Sequence, residues 1–247
     1  MDAQRLKYKR LILKISGEAV GPDGGAPPSA VPGLDMGRVA RTAREVKAVK
    51  DAGGEIGVVI GGGNFIRGRK LRKDGIDEVT ADTMGMLSTV INGLALRDGL
   101  ERLGVEARLM TAIPMPAVAE PYCRTRCLRH LERGRVVVLA AGTGNPHFTT
   151  DSGAALRARE LKADAVLKAT TVDGVYSADP KKEPDAKRFS RLSYADFIGG
   201  NLAAMDITAV ALCREGKIPV VVFDLSVDGN VLRAACGERI GTLVEGE

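Results

Sequence analysis

One run, Ala140-Ala-Gly-Thr-Gly-Asn-Pro-His-Phe-Thr-Thr-Asp151, concentrates more chemistry than any other part of the chain. It follows the apolar stretch Val136–Leu139 and precedes a helix-like stretch from about Ser152. Gly142 and Gly144 let the backbone approach a ligand closely. Thr143, Thr149 and Thr150 add hydroxyls, and the start of a helix directs N–H groups toward an anion. A strand, a Gly/Thr loop and a helix in that order read as a phosphate cradle. It fits neither standard nucleotide fingerprint. His147 stands where GxGxxG needs its third glycine, and no GxxxxGK[ST] occurs.

Other residues are placed for the same chemistry. Lys14 ends an apolar run and is followed by Ser16-Gly17-Glu18. Its ammonium either snorkels to solvent or is aimed at phosphates. Gly61-Gly-Gly63-Asn64 opens the next helical stretch, and Arg67, about one turn in, can fork two phosphate oxygens. Arg69, Lys70, Arg72 and Lys73 lack interleaved aromatics and read as a solvated charged segment. Asp82, amid Thr80, Thr83 and Ser88, is either a helix cap or a ligand for sugar hydroxyls. In Thr170–Pro180, Asp173-Gly174 is a hairpin signal, Asp179-Pro180 starts a turn, and Tyr176 offers a flat ring for a base. Asp206 is either a cap or an organiser of nearby lysines. His130 and His147 give no Ser-His-Asp or metal constellation. Cys123 and Cys127, with only His130 nearby, make a poor metal set.

The elements that must position these residues alternate. Strands are expected at 10–15, 55–60, 105–110, 135–139, 165–168 and 218–223, with a last edge strand at 241–244. Asp35 caps a helix whose apolar face is Val39, Ala43, Val46 and Val49, stopped by Gly53. A long helix spans about 77–103, with Leu87, Val90, Ile91 and Leu94 on one face. Further helices are expected at 122–132, 150–161 and 202–214. The pattern predicts an α/β fold: a three-layer αβα sandwich with a mainly parallel central sheet covered on both faces. Ligands then sit beyond the carboxyl ends of the strands. Those ends are Ser16-Gly17, Gly61–Gly63, Gly142–Gly144 and Thr170, all glycine-rich or polar. The Gly/Pro-rich segment Gly21–Gly33 reads as a long loop, and Asp179–Asp185 as a boundary between lobes of one domain.

Composition narrows the function. With 247 residues, 45% of them hydrophobic, the chain can bury a large core. A net charge of +5 suits anionic small substrates without requiring nucleic acid. Aromatics at 4% with no Trp speak against a base-stacking RNA platform. Four cysteines without a CxxC pair read as a reduced, cytoplasmic protein. No stretch has signal-peptide or membrane-span length.

Together the segments resemble the amino acid kinase family, and within it the bacterial-type uridylate (UMP) kinase branch. The resemblance runs from about Tyr8 to Leu243. It rests on Tyr8–Ala19, Gly57–Asn64, Met84-Gly-Met86, Gly142–Asp151 and Lys168-Ala-Thr170, of which the Gly142–Asp151 string is the most specific to the uridylate branch. The resemblance implies a single kinase-like domain, with an acceptor lobe about 1–165 and an ATP lobe about 166–247. It implies transfer of the γ-phosphate of ATP to UMP, giving UDP and ADP, with Mg²⁺. Lys14, Ile15, Ser16, Gly17, Gly63, Arg67, Thr170, Tyr176 and Asp179 match ATP positions. Gly62, Asp82 and the run Thr143, Gly144, Asn145, Pro146, His147, Phe148, Thr149 and Thr150 match UMP positions. GTP activation, UTP inhibition and a homohexamer are further properties of this branch, for which Arg97, Arg102 and Arg108 are candidate effector cations. Thr171 stands where many relatives carry lysine, and the loop Val20–Leu34 is longer and richer in proline than theirs.

An acceptor that is itself a phosphate needs no general base, so positioning and electrostatics should dominate. Lys14 is then the expected main transition-state cation, Arg67 a second catalytic cation, Lys168 a further candidate, and Asp206 a holder of lysine geometry or metal-bound water. The rival readings are a kinase of another small acceptor, such as an amino acid or carbamate, and a non-catalytic nucleotide-sensing or storage protein.

Overall fold

The computed structural model describes residues 5–22, 32–180 and 182–247. Residues 23–31 of the expected long loop, and Lys181 of the expected lobe boundary, lie outside the described residues. In chain order the elements are β1 (Arg10–Ile15), α1 (Met36–Asp51), β2 (Glu55–Ile60), α2 (Gly68–Lys73), α3 (Glu78–Arg102), β3 (Ala107–Thr111), β4 (Glu120–Pro121), α4 (Arg124–Glu132), β5 (Val136–Ala140), α5 (Thr150–Leu161), β6 (Ala165–Thr170), β7 (Val175–Tyr176), β8 (Arg188–Phe189), β9 (Arg191–Leu192), α6 (Tyr194–Gly199), α7 (Ile207–Gly216), β10 (Val220–Asp224), α8 (Asn230–Ala235) and β11 (Thr242–Val244).

Nine of the described strands form one sheet in the order β4-β3-β5-β2-β1-β6-β10-β11-β9, parallel except where β11 runs against β10, and β7 and β8 form a separate antiparallel pair. Alternation along each strand sends side chains to opposite faces. Leu11, Leu13, Ile56, Val58, Val138 and Leu167 pack on one face against α1, α3 and α8. Ile12, Val59, Val137, Leu139, Val166 and Val222 pack on the other against α4, α5, α6 and α7. This is the expected three-layer αβα sandwich. No helix among the described residues is long and apolar enough to cross a membrane.

Local chemistry sets the element ends. Asp35 accepts from the amides of Gly37 and Arg38, at 2.8 and 3.1 Å, and so starts α1. Gly53, at φ +87°, ends that hairpin of chain before β2. Asp77 caps α3 through Thr80 N.

Four expectations need correction. Of the apolar stripe expected on α3, Val90 is buried and Leu94 packs against the core, but Leu87 and Ile91 are exposed. Beside Val90, the inward face near the strand ends carries the small and polar residues Ser88, Thr89, Asn92 and Gly93. β11 is not an edge strand, because β9 pairs along its other side. Asp173-Gly174 is not the tip of a two-residue hairpin. β7 pairs with β8, and the connection between them is the segment 177–187. Finally α7 starts at Ile207, not near Leu202, and the six-residue α6 and α8 are too short to show a helical period.

β5, β2, β1 and β6 are neighbours and run in one direction. Their polar carboxyl ends therefore share one edge of the sheet. Gly241, entering β11, lies so close to β10 that a Cβ there would overlap the Val222 carbonyl oxygen. Gly241→Ala is expected to cost about 1–3 kcal/mol. At about 2–4 °C per kcal/mol, thermal melting detects it. Gly53→Ala, with open space around its Cβ, should cost only the about 1 kcal/mol of left-handed backbone strain.

Candidate active site

The β1–β6 register sets Lys14 directly beside Lys168. Both belong to the alternation that faces α5, and both are buried. Two ammonium groups side by side repel, and removing them from water adds to the cost. Asp151, in the first turn of α5, stands between them. Lys14 Nζ lies 2.8 Å from its Oδ1, an ion pair not aligned as a hydrogen bond, and Lys168 donates to its Oδ2. Burial raises the Asp151 pKa, but Lys14 and then Lys168 outweigh it and hold the carboxyl below the usual range. Lys168 goes the other way: burial pulls its pKa down, opposed by Asp151 and reinforced by Lys14. One carboxylate thus satisfies itself but leaves two ammoniums under-compensated. The cluster carries a surplus positive charge at the sheet edge, where an anion would complete it.

Glycine backbone builds the floor around this charge. Gly17 and Gly61 pack so tightly that a Cβ on either would meet the other strand's turn. A Cβ on Gly62 would collide with Ser88 Oγ and the Gly85 carbonyl. A Cβ on Gly63 would meet nothing, so that residue faces open space. Asn92, wholly buried on α3, donates to Gly61 O at 2.7 Å and exchanges amide hydrogen bonds with Asn64. Ile15 is buried in the core, so only its backbone reaches this edge. Ser16 and Thr170 line one small cavity of about 60 Å³, walled on its other side by Thr42 and Glu45 of α1.

The cradle differs from its expected form. Thr149 is the N-cap of α5, and its hydroxyl accepts from the amides of Asp151 and Ser152, at 3.0 and 3.3 Å, while donating to Asp206. The Thr143 hydroxyl bonds within its own turn, to Asn145. Two of the three hydroxyls, and two helix-start amides, are therefore already committed. The attraction for an anion comes mainly from Lys14 and Lys168. Asp206 caps α7 through Ala209 N at 2.8 Å and also accepts from Ser152 Oγ at 3.0 Å. The ion pairs of both lysines are with Asp151, and Asp206 acts on Lys168 only through its charge.

Two larger clefts are lined by the segments that follow β2, β5 and β6. On the β2–β5 side, a cleft of about 280 Å³ is lined by Gly62, Gly63, Asp82, Thr143, Phe148, Thr149 and Thr150, with α3 residues behind. Phe148, on its wall, is half exposed. Asp82 is not a cap; it accepts from His147 N at 2.8 Å and Arg72 Nη2 at 3.1 Å. Gly144, Asn145, Pro146 and His147 form the outer turn of the loop rather than the cleft wall. On the β6 side, Tyr176 and Asp179 line a cleft of about 290 Å³ with Gly200–Ala204. Arg67 is exposed at the rim, paired with Glu18 and 3.4 Å from Gly63 O. Glu78, Asp82 and His147 are close enough together to share a cation, but Arg72 already bridges both carboxylates. Cys123 is exposed and Cys127 buried, so they form no joint site; all four cysteines are free thiols.

The amino acid kinase family model matches residues 9–224. The chain belongs to the amino acid kinase family. Solved structures extend the likeness over nearly the whole chain. A UMP kinase from Bacillus anthracis is 40% identical, with a TM-score of 0.90 and 96% of each chain covered. A UMP kinase from Ureaplasma parvum is 31% identical, with a TM-score of 0.89, covering 98% of this chain and 100% of that one. A uridylate kinase from Archaeoglobus fulgidus is 28% identical, with a TM-score of 0.71, covering 95% and 99%.

Within this family fold, sequence reasoning passed over Asp151, Asn92 and Arg157 as working residues. Asp151 carried a signal, an acid one position inside a helix start; Asn92 and Arg157 declare themselves only through contacts. Asp151→Asn should leave two buried ammoniums facing each other, at a cost of about 3 kcal/mol or more. The native pairing lowers the Asp151 pKa, so its stabilisation is full above the unfolded carboxyl pKa of about 3.9 and is lost as pH falls through the lower folded value. Melting curves of wild type and variant should therefore differ most near neutrality and converge in strong acid. A phosphate-bearing nucleotide should raise the variant's Tm more than the wild type's.

Proposed function

We propose that this chain is a UMP kinase that transfers the γ-phosphate of ATP to UMP, giving UDP and ADP. One observation carries the reading: two buried lysines sit side by side on β1 and β6, while the segments after β2 and β5 line one cleft and the segment after β6 lines the other. The acceptor half, about 1–165, supplies the Gly62–Thr150 cleft, and the half from 166 supplies the Tyr176–Asp179 cleft for adenosine. The relatives whose names carry this activity support the acceptor's identity.

In this reading the UMP phosphate, largely dianionic near neutral pH, attacks the γ-phosphorus of ATP. A new P–O bond forms to the acceptor as the bond to the β-phosphate oxygen breaks. ADP leaves with that electron pair, and no proton must move. What the enzyme supplies is charge and position. Lys14 and Lys168 neutralise the oxygens gathered between the clefts, Asp151 keeps the two ammoniums in place, and Arg67 swings from Glu18 onto phosphate. Asp206 keeps α5 and α7 in register through Thr149 and Ser152. Magnesium fits as an ion carried by the nucleotide phosphates, because the cluster's carboxylates are occupied by lysines and capping groups. When bound it would supply further positive charge, and Asp206 would accept from its water. A cytoplasmic location, a homohexamer, and GTP and UTP as effectors belong to the same proposal. The exposed Leu87 and Ile91 on α3 are apolar side chains that an assembly would cover.

ADP release measured with ATP and Mg²⁺ against UMP, CMP, dUMP, TMP, glutamate, aspartate and carbamate tests the acceptor. Turnover confined to UMP is expected. Turnover with an amino acid, or tight nucleotide binding without turnover, would favour the rivals. Lys14→Ala should lower kcat by about 10²–10³-fold. A pH series separates the second lysine. Because the Lys168 pKa is lowered in the free enzyme, kcat/KM should begin to fall at a pH below the ordinary lysine value of about 10.4. Bound phosphates favour the charged form, so the fall in kcat should come at higher pH. Lys168→Arg should remove both falls from this range.

A further inference from the structure

Arg157 lies on α5, buried and away from both lysines. A buried guanidinium is costly unless its donors are used. Its Nη1 donates to Glu160 Oε2 at 2.6 Å, and its planar group lies 3.7 Å from the centre of the Tyr122 ring. Tyr122 in turn donates to the same Glu160 oxygen at 2.6 Å. These contacts leave Nη2 pointing at one acceptor, the carbonyl oxygen of Gly142, at 3.3 Å.

That carbonyl sits at an unusual place in the chain. Ala141 and Gly142, at φ +61° and +54°, are the one adjacent pair of left-handed residues among those described. Such a turn is held by its surroundings rather than by its own preference. Thr89 Oγ1 accepts from Ala141 N at 2.7 Å, and Gly144 N closes back onto Ala141 O at 2.8 Å. A Cβ on Gly153 of α5 would come within 3.1 Å of Gly142 Cα, so the two backbones pack closely. The Arg157 bond is the one hydrogen bond made to the Gly142–Thr143 peptide among the described residues, and it fixes the side to which that carbonyl points.

A trans peptide is planar, with its C=O and N–H pointing in opposite directions. Drawing Gly142 O toward Arg157 therefore turns Thr143 N–H away from α5. Thr143 lines the 280 Å³ cleft, and its amide donates to no group among the described residues. We propose that Arg157 is a positioning residue for the acceptor: it fixes the Gly142–Thr143 peptide so that Thr143 N–H donates into the acceptor cleft. The inference rests on the UMP kinase reading for the acceptor's identity.

Arg157→Lys keeps the charge and the partner Glu160, but a single ammonium cannot serve both Glu160 and Gly142. It is expected to raise the KM for UMP about tenfold, with kcat and the KM for ATP within about twofold of wild type. Tyr122→Phe is the comparison for plain destabilisation: it loses the bond to Glu160, should lower Tm, and should leave the UMP KM unchanged. A UMP KM within twofold of wild type in Arg157→Lys, or equal rises for UMP and ATP, would overturn the inference. A second measurement needs no variant. By amide hydrogen exchange, Thr143 N–H should exchange freely in the unliganded enzyme and become protected by UMP but not by ATP. Protection already present without ligand, or none gained with UMP, counts against it. Wild-type turnover separates the two claims: no turnover of UMP refutes the acceptor assignment, whereas normal UMP turnover with unmoved constants in Arg157→Lys refutes this inference alone.

Discussion

The site depends on a strand register that brings two lysines together. In the parallel β1–β6 pair, Lys14 and Lys168 are opposite partners, so they cannot avoid each other without slipping the sheet. A slip of one residue would send the neighbouring core residues to the wrong face. The apolar alternation on both strands therefore enforces a contact that electrostatics opposes. Asp151 reduces the repulsion, yet one carboxylate cannot neutralise two ammoniums. Apolar burial on both faces of the sheet sustains that surplus charge, which is what a phosphoryl-transfer centre needs when no ligand is bound.

The surrounding backbone follows from the same requirement. For the ends of β1, β2 and β5 to lie close to small anions, they must turn without side chains in the way. Gly17, Gly61 and Gly62 pack against each other's turns or against α3, leaving Gly63 toward the open space. Turns of this kind expose carbonyl and amide groups that an apolar helix would leave unsatisfied. The inward face of α3 near the site is therefore Ser88, Thr89 and Asn92, each bonded to loop or helix backbone. Where α3 moves away from the strand ends, its buried residues become Leu96 and Leu100.

That division explains what could be read from the sequence. Strands with continuous apolar runs, such as Arg10–Ile15 and Glu55–Ile60, and helices with a capped start, such as the one after Asp35, were legible at their true bounds. The carboxyl-end edge was legible because four polar strand ends in one parallel sheet must converge. The α3 stripe was half right: Val90 and Leu94 pack inward, but periodicity counts apolar residues, while here the packed face also takes polar ones and Leu87 and Ile91 look outward. The lysines' partner was missed for a related reason: of the two roles open to Asp206, cap or lysine organiser, the structure shows the cap, and Asp151 meets the lysines. Both are acids at helix starts, and only the position of α5 beside β1 decides which one meets the lysines. β9, α6 and α8 are too short to carry a period, and their placement is a product of tertiary packing.

The two halves of the site are ordered by different means. The lysine side is fixed by sheet register, with little freedom once the core has formed. The cradle side is a loop with left-handed residues at Ala141, Gly142, Gly144 and His147, a set that local preference does not favour. Its shape is imposed from outside, by Thr89 of α3, by Asp82 holding His147 N, and by Arg157 of α5 holding Gly142 O. Those three supports come from helices on both faces of the sheet. Acceptor geometry is thus tied to how α3 and α5 sit on the sheet, while charge is tied to the sheet itself. A displacement of either helix would disturb acceptor positioning before it disturbed the register that pairs the lysines.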